Sequence, residues 1–320
     1  MVGWDGGPEW TNMRTVIIGP GAMGCLFAAL LTEFGHDVWL LDKSETRAGQ
    51  IAQSGIRVEG IGGVRLVRPK ATSRPDDIGA ADLVFIWVKA YDTASAVSAA
   101  MPVIAGHTQV ISLQNGLGNL ESIARVVPPQ NIIGGITSHG ATLLDTGSVR
   151  HAGKGDTIIG RMRGQTDGGL QELADLLSEA GIQTTISPDI EAAIWSKLMV
   201  NAAINPLTAI TRLKNGQLLE SPETRRLLDL VIEETERIVA CTGVALLYSS
   251  VRDRVYAVCE ATAGNRSSML QDVLRGRRTE IDAINGALIE KSMTLNIQAP
   301  VNKVLVCLVK VLEGRRGDIG

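Results

Sequence analysis

Short apolar runs alternate with Ala- and Leu-rich amphipathic stretches from Met13 to about Thr185, the rhythm of a mostly parallel sheet covered on both faces by helices. Residues 15–18, 38–41, 83–88, 109–113 and 132–133 read as buried strands, short and bounded by turn formers. A helix over 22–34, stopped by Gly35, joins the first two. The Gly-rich turn at 60–63, between Ile56-Arg57-Val58 and Val64-Arg65-Leu66, predicts a hairpin insertion. Val149-Arg150-His151 and Thr157-Ile158-Ile159 predict a second hairpin that extends the sheet.

Beyond Ser187-Pro188 the pattern turns to long helices with almost no strand signal. Ser187 is placed to cap a helix, Pro188 suits its first position, and Asp189 and Glu191 complement the dipole in its opening turn. Further helices are expected at 222–241, 249–261, 267–274, 280–295 and 300–312. The expected fold is therefore α/β: an N-terminal extension over 1–12, a Rossmann-type doubly wound domain over 13–187 and an all-helical domain over 188–320. Ligand chemistry is expected in a cleft between such domains.

At 320 residues the chain is long for one core and suits two domains. A net charge of −3 supplies no basic field for nucleic acid or anionic lipid, and 3% aromatic content leaves little for base stacking. A small-molecule partner is favoured instead. Cys25, Cys241, Cys259 and Cys307 lie far apart with no C-x-x-C, so neither a metal site nor a disulfide framework is expected. They read as apolar residues of a reducing, cytoplasmic compartment. Met1 to Asn12 lack the basic and apolar regions of a signal peptide, and no apolar run approaches the roughly 18 residues of a membrane span.

The first candidate chemistry is Gly19-Pro20-Gly21-Ala22-Met23-Gly24, which follows a strand and opens a helix. Gly19 permits the tight turn, Gly21 lets backbone N–H groups approach a pyrophosphate, and Gly24 lets the helix lie close to the sheet. Asp42 ends the second strand, where this fingerprint expects an acid for the adenosine ribose. In the helical half, Lys197, Asn201 and Asn205 recur at a spacing of four and share one helix face. That stripe is either an ordinary solvated face or a row of donors lining a cleft. Ser267 is placed to cap one helix, and Thr279 with Asp282 resembles a capping box. Glu280, at a helix start, either compensates the dipole or partners a lysine.

Taken with Val88-Lys89-Ala90, Gln114-Asn115-Gly116-Leu117-Gly118, Thr137-Ser138-His139-Gly140-Ala141, Trp195-Ser196-Lys197-Leu198-Met199-Val200-Asn201, Asn205-Pro206-Leu207-Thr208, Ser267-Ser268-Met269-Leu270-Gln271-Asp272 and Thr279-Glu280-Ile281-Asp282, the chain resembles the ketopantoate reductase family, 2-dehydropantoate 2-reductase. The resemblance implies reduction of the 2-oxo group of ketopantoate to pantoate, for pantothenate and coenzyme A synthesis. It makes Lys197 the catalytic lysine and Glu280 its supporting carboxylate, also in contact with the cofactor. Asn115, Asn201, Asn205, Asn215, Asn265 and Ser268 match substrate-holding positions, and Lys89, Asn115 and Ala141 positions around the cofactor. His139 is kept as a structural histidine, and Asp82 and Asp92 as caps. The family's basic residue for the NADP 2′-phosphate corresponds to Lys43, yet Asp42 precedes it, so NADP is expected with NAD left open. Two alternatives stand beside this reading: a reductase of another branched 2-oxo or 3-oxo acid, and a nonenzymatic nicotinamide sensor. The apolar helix faces of 281–295 and 301–312 are either core or a homodimer interface.

Overall fold

A computed structural model describes residues 13–314; the extension expected at 1–12 lies outside them. The strands among the described residues are β1 (Arg14–Ile18), β2 (Asp37–Leu41), β3 (Ile56–Gly60), β4 (Arg65–Val67), β5 (Lys70–Thr72), β6 (Ala81–Ile86), β7 (Ile104–Ser112), β8 (Ile132–Thr137), β9 (Gly140–Asp145), β10 (Ser148–Gly153), β11 (Thr157–Arg161) and β12 (Thr184–Ile186). The helices are α1 (Ala22–Glu33), α2 (Glu45–Ser54), α3 (Thr93–Ala99), α4 (Asn119–Ile123), α5 (Gly168–Glu179), α6 (Ile190–Thr211), α7 (Pro222–Ala240), α8 (Val251–Ala261), α9 (Ser268–Leu274), α10 (Ala287–Thr294) and α11 (Pro300–Gly314). The chain divides into two units: one runs to Gln114 and resumes over Asn119–Ile190, and the other takes Asn115–Gly118 and everything from Glu191 onward.

The first unit carries an eight-stranded sheet in the order β12-β11-β8-β7-β6-β1-β2-β5 and a smaller sheet in the order β4-β3-β10-β9. In the large sheet the strands run parallel except where β11 meets β8. Helix α1 packs against β2 of the large sheet and against β3, β9 and β10 of the small one. That sandwich explains its sequence: Cys25, Leu26, Phe27, Ala28, Ala29 and Leu31 are all buried, so the helix is apolar nearly all round.

The hairpin expected from 149–151 and 157–159 does not form. β10 pairs with β9 and β3, whereas β11 pairs with β8 and β12. Alternating apolar residues announce a strand without naming its partner. The segment between β10 and β11 is pinned elsewhere: the Ser138 N–H donates to the Asp156 carbonyl at 2.8 Å, and a Cβ on Gly155 would lie 2.5 Å from the Ser138 oxygen. The first hairpin, β3 with β4, forms as expected, within the small sheet.

The second unit is helical. Its long helix α6 starts at Ile190, later than expected, and Ser187 does not cap it. The Ser187 N–H is still bonded to the Ile159 carbonyl at 2.8 Å, which holds that residue in extended chain, and its hydroxyl accepts from the Asp189 N–H at 3.2 Å. The helix expected over 280–295 forms as a continuous helical stretch whose first part is a π-helical turn, Asp282–Gly286, leading into α10. Thr279 forms no capping box with Asp282, because its N–H and its hydroxyl both donate to Glu313 Oε1, at 2.7 and 2.6 Å. Ser267 does cap α9, accepting from the Leu270 N–H at 3.1 Å. No helix among the described residues is long and apolar enough to cross a membrane.

Candidate active site

In the first unit, the turn between β1 and α1 is shaped by what its glycines lack. Gly19 has φ +99°, and a Cβ there would lie 2.9 Å from the Val88 nitrogen. A Cβ on Gly24 would lie 2.1 Å from the Gly19 carbonyl oxygen, so α1 can start this close to the strand only with glycine. Gly21 differs: nothing lies within 4 Å of the place its Cβ would take. Open space faces the N-cap of α1, which carries no side-chain cap. Unpaired N–H groups, a favourable dipole and room for close approach are what a pyrophosphate needs. The turn therefore fits a dinucleotide, with Pro20, Ala22 and Met23 partly exposed along it. Cys25 is no nucleophile, since burial pushes its thiol up to about 12.

Asp42 is not the open carboxylate that its position suggests. It is buried, accepts from Arg47 through both oxygens at 2.6 and 2.7 Å, and accepts from the Ser44 N–H at 3.1 Å. Lys43 projects outward and pairs with Asp92 at 3.1 Å. Asp92 thus serves as an ion-pair partner; it makes no side-chain cap on α3. Asp82 accepts from the Arg14 N–H at 2.8 Å, tying β6 to β1. Lys89 precedes the 3-10 turn Ala90–Asp92, and Ala141 lies on β9 opposite His151.

His139 Nδ1 and His151 Nε2 lie 3.2 Å apart with their rings stacked. Burial, then the neighbouring imidazole, lowers His139 to about 4. Sequence reasoning did not find this pair, since twelve residues separate its members. Gln114 is a positioning residue: its amide donates to the Val88 carbonyl at 2.7 Å and to the Thr93 hydroxyl at 2.8 Å, fixing the chain just before Asn115.

In the second unit, Lys197, Asn201 and Asn205 do share one face of α6. Asn201 Nδ2 lies 3.5 Å from Asn115 Oδ1, a long contact that brings the 115–118 segment to this stripe. The same segment is clamped to the stretch after Glu280: the Leu117 N–H donates to the Ala283 carbonyl at 2.9 Å, and a Cβ on Gly116 would lie 2.4 Å from that oxygen. Burial lowers the Lys197 ammonium from 10.5 to about 8, while the Glu280 carboxylate opposes the shift. Glu280 itself is buried. Ahead of Lys197, Ser196 is held by the Tyr248 hydroxyl, which donates to its carbonyl at 2.7 Å, and by the Leu247 N–H, which donates to its hydroxyl at 2.8 Å.

Pro206 stands inside α6 and has no N–H to give the Ala202 carbonyl one turn back. The side chain of Asn285, from the π-helical turn, donates to that carbonyl at 3.0 Å. A gap between Asn201 and Asn205 is thereby filled from the segment that carries Glu280. Sequence held the signal, a proline within a helical pattern, but not the donor that answers it.

The remaining expected residues gather at the other end of α6. Thr208 donates to the Ser267 hydroxyl at 2.7 Å, which holds the start of α9, and so Ser268, beside the turn of Asn205. The Asn215 N–H donates to the Asn265 carbonyl at 3.0 Å, and its amide to Thr262 at 2.8 Å. Asn215 Oδ1 is buried without a partner, whereas Asn265 and Ser268 are exposed. Among the described residues no three His, Cys, Asp or Glu side chains gather as metal ligands.

Comparison with known proteins bears on both units. Residues 15–164 match the family Ketopantoate reductase PanE/ApbA, and residues 189–313 match Ketopantoate reductase PanE/ApbA C terminal. A protein of Archaeoglobus fulgidus named 2-dehydropantoate 2-reductase is 40% identical over 300 residues, 94% of this chain and 98% of the relative. The crystal structure of a PanE/ApbA family ketopantoate reductase from Ralstonia eutropha JMP134 superposes with a TM-score of 0.87 at 32% identity, covering 95% of this chain and 99% of that one. D-mandelate dehydrogenase, in a ternary structure with NADH and anilino(oxo)acetate, superposes with a TM-score of 0.89 at 27% identity, covering 94% and 98%.

Proposed function

This chain belongs to the ketopantoate reductase family, and we propose that it reduces the 2-oxo group of 2-dehydropantoate to give pantoate, with NADPH as the hydride donor. The observation that carries the reading is Lys197: an ammonium that burial lowers to about 8 while the buried Glu280 carboxylate opposes the shift, one turn from Asn201. Hydride delivery to a carbonyl carbon leaves negative charge on oxygen, and a cation that can also release a proton near neutral pH meets both needs.

The nicotinamide cofactor supplies the hydride when bound; the β1–α1 turn, Lys43, Lys89 and Ala141 would hold it. Lys197 would stabilise the developing oxyanion and then protonate it. Glu280 would keep Lys197 charged and in place. Asn115, Asn201, Asn205, Asn215, Asn265 and Ser268 would hold the substrate's carboxylate and hydroxyl through neutral donors and acceptors, which orient an anion without competing with Lys197 for the reacting oxygen. The unpartnered Oδ1 of Asn215 supports this, because a buried acceptor awaits a donor such as the substrate hydroxyl.

A second reading is favoured by the likeness to D-mandelate dehydrogenase: reduction of another 2-oxo acid with NADH. Purified protein assayed by loss of reduced-cofactor absorbance, against ketopantoate, other branched oxo acids and phenylglyoxylate with each cofactor, separates the two. A kcat/KM for ketopantoate below that for the alternatives refutes the first reading.

A further inference from the structure

The end of β2 presents an unusual electrostatic arrangement. A carboxylate at this position reads the ribose hydroxyls of NAD when its oxygens are open, but in this chain both Asp42 oxygens are engaged by Arg47 in a two-pronged pair. The pairing is built by local chain geometry. Asp42 accepts from the Ser44 N–H at 3.1 Å, and Ser44 caps α2 by accepting from the Arg47 N–H at 3.3 Å. The turn thus pins the backbone of Arg47 and folds its side chain back over Asp42. The Asp42 side chain is only 3% exposed, whereas that of Arg47 is 49% exposed.

The pair lies beside the glycine turn. The Gly19 N–H donates to the Leu41 carbonyl at 3.0 Å, and the charges of Asp42 and Arg47 both act on Cys25, next to Gly24. With Asp42 neutralised by Arg47, the outward cationic groups are Lys43, 77% exposed and paired with Asp92 at 3.1 Å, and the guanidinium edge that Asp42 does not use.

We propose that Arg47 is the residue that sets cofactor choice: it withdraws Asp42 from the ribose hydroxyls and offers its remaining N–H groups, with Lys43, to a 2′-phosphate. This rests on the nicotinamide-dependent reading above. A guanidinium suits the task because its planar fork can hold a carboxylate on one edge and a phosphate on another. Lys43 alone would attract the phosphate but would leave Asp42 to repel it. The pair turns an acid that would favour NAD into a support for the cation that favours NADP.

The test is titration calorimetry on the purified full chain with 2′,5′-ADP and 5′-AMP, fragments that differ only at the ribose 2′ position and report binding without turnover. The wild-type chain is expected to bind 2′,5′-ADP more tightly. Arg47→Leu should weaken 2′,5′-ADP tenfold or more and leave 5′-AMP unchanged or tighter, because Asp42 is then open to the hydroxyls. Asp42→Asn should tighten 2′,5′-ADP several-fold by releasing the guanidinium, a gain that a damaged fold does not produce. Arg68→Gln removes an exposed positive charge that holds the Gln53 carbonyl instead, and should change neither affinity. Equal losses of both fragments in Arg47→Leu, weaker 2′,5′-ADP binding in Asp42→Asn, or an Arg68→Gln effect equal to that of Arg47→Leu would each overturn the proposal. Equal affinity of the wild type for both fragments overturns the Arg47 role alone, whereas failure to bind either fragment or either dinucleotide overturns the cofactor reading beneath it.

Discussion

Replacing Lys197 with methionine should abolish turnover and make the protein more stable. Burial lowers the Lys197 ammonium from 10.5 to about 8, so the fold disfavours that charge even with Glu280 opposing the shift. The displacement corresponds to about 3 kcal/mol at pH values below 8, and Met keeps a similar stem without the charge. About 3 kcal/mol is a ceiling, since partial exposure relieves some of the burial. The sign with pH follows from linkage. Between 8 and 10.5 the unfolded chain holds a proton that the folded chain has released, so wild-type stability rises with pH across that window through this group. Lys197→Met lacks that rise, and the stability gap between the two proteins should close as pH approaches 10.5. Denaturant unfolding at pH 7, 8, 9 and 10 measures the gap; kcat at pH 7 should fall by at least about 10². A variant that is less stable at pH 7, or that keeps its turnover, refutes the assignment of a strained functional cation to this position.

Glu280→Gln removes the carboxylate that raises Lys197, so the alkaline limb of kcat/KM should move below its wild-type position near 8; an unmoved limb refutes the coupling. Gly24→Ala should disrupt the turn itself, because its Cβ would lie 2.1 Å from the Gly19 oxygen, whereas Gly21→Ala, with open space around its Cβ, should fold normally and lose dinucleotide affinity. Thermal melts and cofactor fluorescence separate those outcomes. His139, lowered to about 4, must stay neutral to remain buried, so stability should fall by up to about 3 kcal/mol as pH drops from 6.5 to 4, and His139→Gln should remove most of that loss. Asn285→Leu leaves the Ala202 carbonyl without a donor at the Pro206 gap and should cost about 1–3 kcal/mol in denaturant unfolding.

The glycine turn was legible because a strand, three glycines at fixed offsets and an apolar helix are constraints of local sterics: the clashes at Gly19 and Gly24 are with backbone only a few residues away or on the adjoining strand. The Lys197, Asn201 and Asn205 stripe was legible because helix periodicity alone places those residues on one face. Asp42 was misleading because position in the motif does not say whether a carboxylate is open, and Arg47, five residues on, decides that through the turn at Ser44. The β10 and β11 hairpin was misread because alternation gives a strand's two faces and not its neighbour.

The chain by itself determined the strands and the helix around the glycine turn, the change to a helical second half and which polar side chains share a helix face, since each depends on contacts between near neighbours along the backbone. Only the tertiary structure decided that Asp42 is closed by a guanidinium, that His139 meets His151, that Asn285 completes the backbone at Pro206, and that burial lowers the Lys197 ammonium to about 8. Those are matters of desolvation and of partners distant in sequence, and burial acquires a value only once the whole fold has placed its walls.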